Sequence, residues 1–507
     1  MSRVLVPVAV ALVVATACTS APSRPHQAGA PGSGGSGVPA AGRDARPYTV
    51  MRIDSPDPQP NGRWAERLAS AAVAGQSGDL DGDGVPDFFV GQPRHSLPSV
   101  PNAGRVWAMS GKTGKVLYSI DPPELQQDAK FGFAISVLGD VDGDGIPDIA
   151  VGTDAQTVAG HAGQGAAWVF SGATGKVLYR LDDPQPQAAA RFGSRIGRAG
   201  DVTGDGVPDL IIGASGSDAP AGCSQTSPLP EGCHKAQGQA FIFNGRSGAL
   251  VRTLDLPGAD QVPASCSSTN SCGQFGLAVQ GPGDTDGDGV PDQLVDAGTA
   301  DGMGKMFLFS GKTGQLLLTI TDPIPQKGAF FGFQDAAPLT PGDVNGDGSA
   351  DLYANGFLQD GPAGPGQGTA WVFDGRTGKV LYQLNHPTPQ PGAQFGWSVS
   401  AADYSHDGAP DLYIGQSPHE VPNTPADGGT YLFNARTGAQ LAALELPPSD
   451  RQPSMAQNLG PSLGWTSASP GDLNGDGKPD HIAGAPFEDV GQNKDQGVLY
   501  VYLSGSK

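Results

Sequence analysis

From residue 48 onward, apolar residues fall in runs of four to eight, rich in Val, Ile, Leu and aromatics and bounded by Gly, Pro or Asp. Runs of that length and framing predict β-strands, and nothing in this region has the length or period of an amphipathic helix. The runs recur in a fixed order. An F-G pair leads into strand one, as at Phe131-Gly132, Phe192-Gly193, Phe275-Gly276, Phe331-Gly332 and Phe395-Gly396. An acidic loop follows, then strand two, such as D-L-I-I-G from Asp209. A Gly and two further residues precede an aromatic in strand three: Trp107, Trp168, Phe241, Phe307, Trp371, Tyr431 or Tyr500. A turn such as S-G-K-T-G from Ser110 or D-G-R-T-G from Asp374 leads to strand four, such as K-V-L-Y from Lys115. Leu463-Gly464 takes the F-G place in the last unit and Trp64-Ala65 in the first. In that first unit Asp79 follows Trp64 by 15 residues instead of the more usual 9, which predicts a bulge.

Four strands repeated seven times predict an all-β fold, a seven-bladed β-propeller. The last unit stops after strand three, whereas Y-T-V-M-R-I-D from Tyr48 to Asp54 matches the fourth strand of other units. The N-terminal strand is therefore expected to complete the C-terminal blade, closing the ring and hiding two open edges.

The acidic loops carry the chemistry. The first is D-L-D-G-D-G-V-P-D, with carboxylates at Asp79, Asp81, Asp83 and Asp87 and a backbone carbonyl expected from Val85. The same five places are Asp140, Asp142, Asp144, Ile146 and Asp148 in the second loop, and Asp201, Thr203, Asp205, Val207 and Asp209 in the third. They are Asp284, Asp286, Asp288, Val290 and Asp292 in the fourth, and Asp343, Asn345, Asp347, Ser349 and Asp351 in the fifth. The sixth has Asp403, Ser405, Asp407, Ala409 and Asp411, and the seventh Asp472, Asn474, Asp476, Lys478 and Asp480. Oxygen ligands at alternate positions suit Ca²⁺, a hard ion that takes six to eight oxygens in flexible geometry. Up to seven Ca²⁺ are expected. The sixth loop is the poorest match, because His406 replaces the usual Gly at its fourth position. A D-G or N-G pair alone would mark only a turn; seven at one strand phase point to metal.

Composition agrees. Gly and Pro number 77 and 46, which suits many tight turns and opposes long helices. Net charge is −21, which disfavours nucleic acid as a partner. Three loops hold four carboxylates and four hold three, or 24 of the 51 acids. Residues 48–507 carry −24, and seven divalent ions would bring that to −10.

Residues 1–17 have the layout of a secretory signal peptide, with Arg3 before an apolar stretch too short to span a bilayer comfortably. The following A-T-A-C ends at Cys18 and resembles the lipobox of bacterial lipoproteins, which implies acylation of Cys18 and a membrane-anchored, extracellular location. Residues 18–47, rich in Ala, Gly, Pro and Ser, are expected to form a disordered tether spanning roughly 30 Å. Cys223, Cys233, Cys266 and Cys272 predict two disulfides in an exported protein; three connectivities are open, with the sequentially near pairs preferred.

The repeated units resemble the F-G–G-A-P repeats of the integrin α-subunit propeller; G-A-P is literal at Gly484-Ala485-Pro486. That resemblance implies calcium in the loops between strands one and two on the lower face. It implies partners on the upper face, built by strand 2–3 loops and blade connections. The insertions holding the two Cys pairs map to that upper face, as do Phe487, Glu488 and Asp489. His95 and His419 occupy equivalent 2–3 loop positions and are expected to face solvent. No H-E-x-x-H or phosphate-cradling Gly loop is present, and nearly half of the acids are committed to the loops, so no enzyme is expected. The reading is a surface-tethered calcium-binding module for a protein or cell surface. The alternative is a carbohydrate-binding or carbohydrate-active propeller with its site at the channel mouth.

Overall fold

Strand β1 (Thr49–Asp54) pairs antiparallel with the last strand, β27 (Val498–Leu503), so the first and last described strands share one sheet. Its order is β1-β27-β26-β25, with β25 Thr466–Gly471 and β26 Asp480–Ala485. The seventh blade thus takes its outer strand from the N-terminus, as expected from the missing fourth strand. A computed structural model describes residues 48–70, 78–219, 234–258, 273–333, 341–417, 427–452 and 460–505, all within the compact unit Asp44–Lys507.

The other blades are simple antiparallel meanders. Blade 1 is β2 (Arg67–Ser70), β3 (Phe88–Gln92), β4 (Arg105–Met109) and β5 (Val116–Ile120). Blade 2 is β6 (Ala134–Gly139) to β9 (Val177–Leu181), and blade 3 is β10 (Phe192–Gly200) to β13 (Leu250–Asp255). Blade 4 runs from β14 (Phe275–Gly283) to β17 (Leu316–Thr321), and blade 6 from β21 (Phe395–Ala402) to β24 (Gln440–Leu444). Blade 5 has three described strands, β18 (Leu352–Gly356), β19 (Thr369–Phe373) and β20 (Val380–Asn385). The protein is a seven-bladed β-propeller.

Both faces of each blade are covered, so the inner strands are apolar throughout instead of alternating. In β4, Val106 and Ala108 point to the core shared with blade 2, while Trp107 and Met109 point to the core shared with blade 7. Seven such clusters fill the seven junctions between neighbouring blades. The strand-three aromatics are all buried in them.

The F-G signature is the seam between blades. Phe131 is fully buried, stands edge-on to Trp168, and forms a backbone bridge to Gly104 of the preceding blade. A Cβ on Gly104 would sit 2.0 Å from the Phe131 carbonyl oxygen, so only glycine fits this crossing. Trp64 makes the equivalent crossing with Gly497, which places the atypical Trp64-Ala65 pair in the same role. The bulge expected between Trp64 and Asp79 falls partly on 71–77, outside the described residues.

Candidate metal centres and the loop face

In the six blades whose strands one and two are both described, the acidic loop joins them, and most of the loops share one internal wiring. The first Asp folds the loop around itself. Asp79 Oδ1 accepts from the Gly82 and Asp83 amides at 2.8 and 3.0 Å, and its Oδ2 from Gly84 at 2.8 Å. Asp140, Asp284, Asp343 and Asp472 repeat this pattern. Position four needs a positive φ, which the glycines supply; His406 takes φ 57° there, an uncommon conformation for a non-glycine residue.

The last Asp is fully buried in every loop. Asp87 Oδ2 accepts from the Leu80 amide at 2.6 Å and its Oδ1 from Gly111, in the strand 3–4 turn, at 2.8 Å. Gly172, Gly245, Gly311, Gly375 and Ser504 make the same bond to Asp148, Asp209, Asp292, Asp351 and Asp480. This Asp fastens the loop to the neighbouring hairpin. Burial pushes the Asp87, Asp148, Asp351 and Asp480 carboxyls up to about 6, against the pull of those backbone amides.

Three loops gather carboxylates tightly. Asp79, Asp81 and Asp87 each offer an oxygen, all within 4.8 Å of one another. So do Asp140, Asp142 and Asp148, and Asp284, Asp286 and Asp292. These are the loops with Asp at position three. A set of convergent, partly buried carboxylates fits a hard divalent cation, which would offset their repulsion and the burial that raises the last Asp. At position five, Asp83 Oδ1 accepts from the Val85 amide at 3.0 Å, and Lys112 Nζ lies 3.7 Å from its Oδ2.

The opposite ends of the strands carry the 2–3 loops and blade connections, and glutamine side chains lock the two together. Gln126, in the connection to blade 2, donates through Nε2 to the Thr157 carbonyl at 2.8 Å and accepts the Thr157 amide on Oε1 at 3.0 Å. Gln59 grips Ser96 the same way, Gln187 grips Asp218, and Gln452 grips Asp489. Gln326 spans Leu358 and Asp360. The signal was in the sequence: Gln59, Gln126, Gln187, Gln326 and Gln390 each stand five residues before the F-G pair or its Trp64 counterpart.

Two expectations for this face are corrected. His95 is buried, 1% exposed, instead of facing solvent. The segment before Trp64 crosses over its loop, bringing Asp57 Oδ2 to 3.4 Å from His95 Nε2, while Trp107 meets the ring edge-on. Phe487 and Glu488 also turn inward. Phe487 lies under the Arg63 guanidinium and against Trp465. Glu488 accepts from Arg52 Nη1 at 2.5 Å and from the Tyr500 hydroxyl at 2.8 Å, so it seals the joint made by β1. His419, Cys18, Cys223, Cys233, Cys266 and Cys272 lie outside the described residues.

Comparison with known proteins converges on the same architecture. The FG-GAP repeat family matches residues 192–227 and 464–502, and the FG-GAP-like repeat family residues 79–151. Integrin alpha-PS5 of Drosophila melanogaster is 35% identical over 150 residues, 28% of this chain and 14% of that protein. Integrin alpha-IIb of Homo sapiens is 32% identical over 207 residues, 38% of this chain and 19% of that protein. Integrin alpha-5 of Xenopus laevis is 28% identical over 225 residues, 43% and 19% respectively. The matches thus span less than a fifth of each of these relatives.

Proposed function

We propose that this integrin α-like FG-GAP β-propeller is an exported, calcium-braced module that binds a protein partner through its 2–3 loops and blade connections. The observation that carries the reading is the threefold recurrence of one Asp cluster at the same place in blades 1, 2 and 4. In these blades the proposed ligands are the carboxylates at positions one, three, five and nine and the carbonyl at position seven. Bound calcium would supply the positive charge that lets four carboxylates share one small loop. The chain's own contribution is to pre-shape that loop: the first Asp folds it, and the last fixes it to the hairpin. Bracing the lower ends of the strands would hold the opposite face rigid for a partner. The leader at 1–17 and Cys18 support export and lipid anchoring. Among the described residues, no helix is long and apolar enough to cross a membrane. Binding, not turnover, is the activity proposed, because 24 of the 51 acidic residues lie in the loops and Glu488 is engaged at the blade seam.

The test is thermal unfolding of the purified chain with calcium and with a chelator, followed by capture of cell-envelope proteins under both conditions. Binding to the folded form alone stabilises by about 2.7 kcal/mol per site at about 100 times the dissociation constant. The melting temperature should fall with chelator and recover with added calcium. Capture should require calcium and disappear when residues 223–233 are replaced by alanine. A melting temperature indifferent to chelation would remove the bracing role, and turnover in a glycan-hydrolase panel would replace binding with catalysis.

A further inference from the structure

We infer that blades 3 and 6 hold no calcium, because in each an asparagine amide of the chain already stands where the loop oxygens converge. The inference rests on the calcium reading of the other loops and limits it to five ions. The amide comes from the strand 3–4 turn. That turn opens with Ser110, Ser171 and Ser310 in the three blades with Asp at position three, but with Asn244 in blade 3 and Asn434 in blade 6.

Asn244 Nδ2 donates to Thr203 Oγ1 at 2.9 Å and Asp205 Oδ2 at 2.7 Å, and lies 3.4 Å from Asp209 Oδ1. These are positions three, five and nine of the loop. Asn434 Nδ2 meets the same three positions in blade 6: Ser405 Oγ at 3.1 Å, Asp407 Oδ2 at 2.7 Å and Asp411 Oδ1 at 3.0 Å. The orientation of each amide follows from its other end. Asn244 Oδ1 accepts from the Ser247 amide at 2.9 Å and hydroxyl at 2.6 Å, and Asn434 Oδ1 from the Thr437 amide and hydroxyl at 2.9 and 2.8 Å. Rotating either amide would set NH₂ against a backbone N–H, which has no acceptor to offer. The group pointing into the loop is therefore a donor, and a donor cannot ligate a cation.

The sequence changes are matched. Where Asp at position three becomes a hydroxyl, one negative charge is lost and the turn Ser becomes Asn. A guanidinium follows as well: Arg246 Nε lies 3.9 Å from Asp205 Oδ2, and Arg436 Nε lies 3.2 Å from Asp407 Oδ1. The amide takes an oxygen at each of positions three, five and nine, three of those that calcium would need, and in blade 6 Arg436 takes the other oxygen of Asp407. The same fastening of loop to hairpin is reached by hydrogen bonds.

The test is the count of tightly bound calcium in the full chain by native mass spectrometry after saturation. The wild type should hold no more than five ions. Restoring the blade 1 pair in blade 3, with Thr203→Asp and Asn244→Ser together, should add one. The reverse exchange in blade 1, Asp81→Thr with Ser110→Asn, should remove one. A reading that needs no variant is hydrogen exchange on chelation. Peptides over 79–87, 140–148 and 284–292 should exchange at least tenfold faster, while those over 201–209 and 403–411 stay unchanged. Six or seven ions in the wild type, or a chelation response in blades 3 and 6, would overturn the inference. A count of zero would instead overturn the calcium reading beneath it.

Discussion

Replacing Gly104 with alanine tests the claim that the F-G signature is a seam that only glycine can cross. The residue has φ 89°, and an added Cβ would meet Phe131 at 2.0 Å from O, 2.4 Å from N and 2.8 Å from the carbonyl carbon. All three are backbone atoms, so no side-chain rotation relieves the contact. The strands must separate by about 1 Å or more, which stretches the 2.9 Å bond from the Phe131 amide to Ala103 and disturbs a fully buried ring. A left-handed φ costs a non-glycine residue about 1–2 kcal/mol. A broken buried bond adds about 1–3 kcal/mol, as does forced repacking. The expected total for Gly104→Ala is about 3–8 kcal/mol. Gly160 is the control, because it has the same φ of 89° and nothing within 4 Å of its would-be Cβ. Gly160→Ala should cost only the conformational part, about 1–2 kcal/mol. The assay is the guanidinium unfolding midpoint of calcium-saturated protein, compared at equal slope. Equal midpoint shifts for the two variants would show that the glycine serves conformation and not close approach, and the account of the seam would fall.

Two other predictions follow from the face opposite the acidic loops. Gln187→Leu removes both bonds of a buried clamp and leaves the Asp218 amide without its partner, which should cost about 1–3 kcal/mol and speed hydrogen exchange at Asp218. Glu488 is pushed up to about 7 from its ordinary 4.5 by burial. The folded state therefore holds that proton more tightly than the unfolded state, so its contribution is complete below about pH 4.5 and lost as pH rises through 7. That shift corresponds to about 3 kcal/mol. Wild type should lose about that much stability relative to Glu488→Gln between pH 5 and pH 8, both measured with calcium saturating; a pH-independent difference would contradict the burial argument.

The sequence by itself determined the strand order, the sevenfold repeat, the ring closure and the positions of the acidic loops. Each is written in short-range spacing. A short apolar run framed by Gly, Pro or Asp favours a strand over a helix, and D-x-x-x-D-G recurs at one phase of every unit. Four of the Gln clamps, at Gln59, Gln126, Gln187 and Gln326, carry a sequence signal as well, a five-residue offset before the F-G pair or its Trp64 counterpart, whereas Gln452 does not. What the tertiary structure decided depends on groups distant in sequence. Glu488 and His95 read as loop residues open to a partner. Both are buried because the N-terminal segment, more than 400 residues from Glu488, supplies Arg52 to one and folds Asp57 over the other. The inequality of the acidic loops has the same origin. Asn244 is 35 residues from Asp209 and looks like any turn residue. Only the pairing of strands two and three brings its amide into the loop, where hydrogen-bond polarity separates a site that can take a cation from one the chain has already filled.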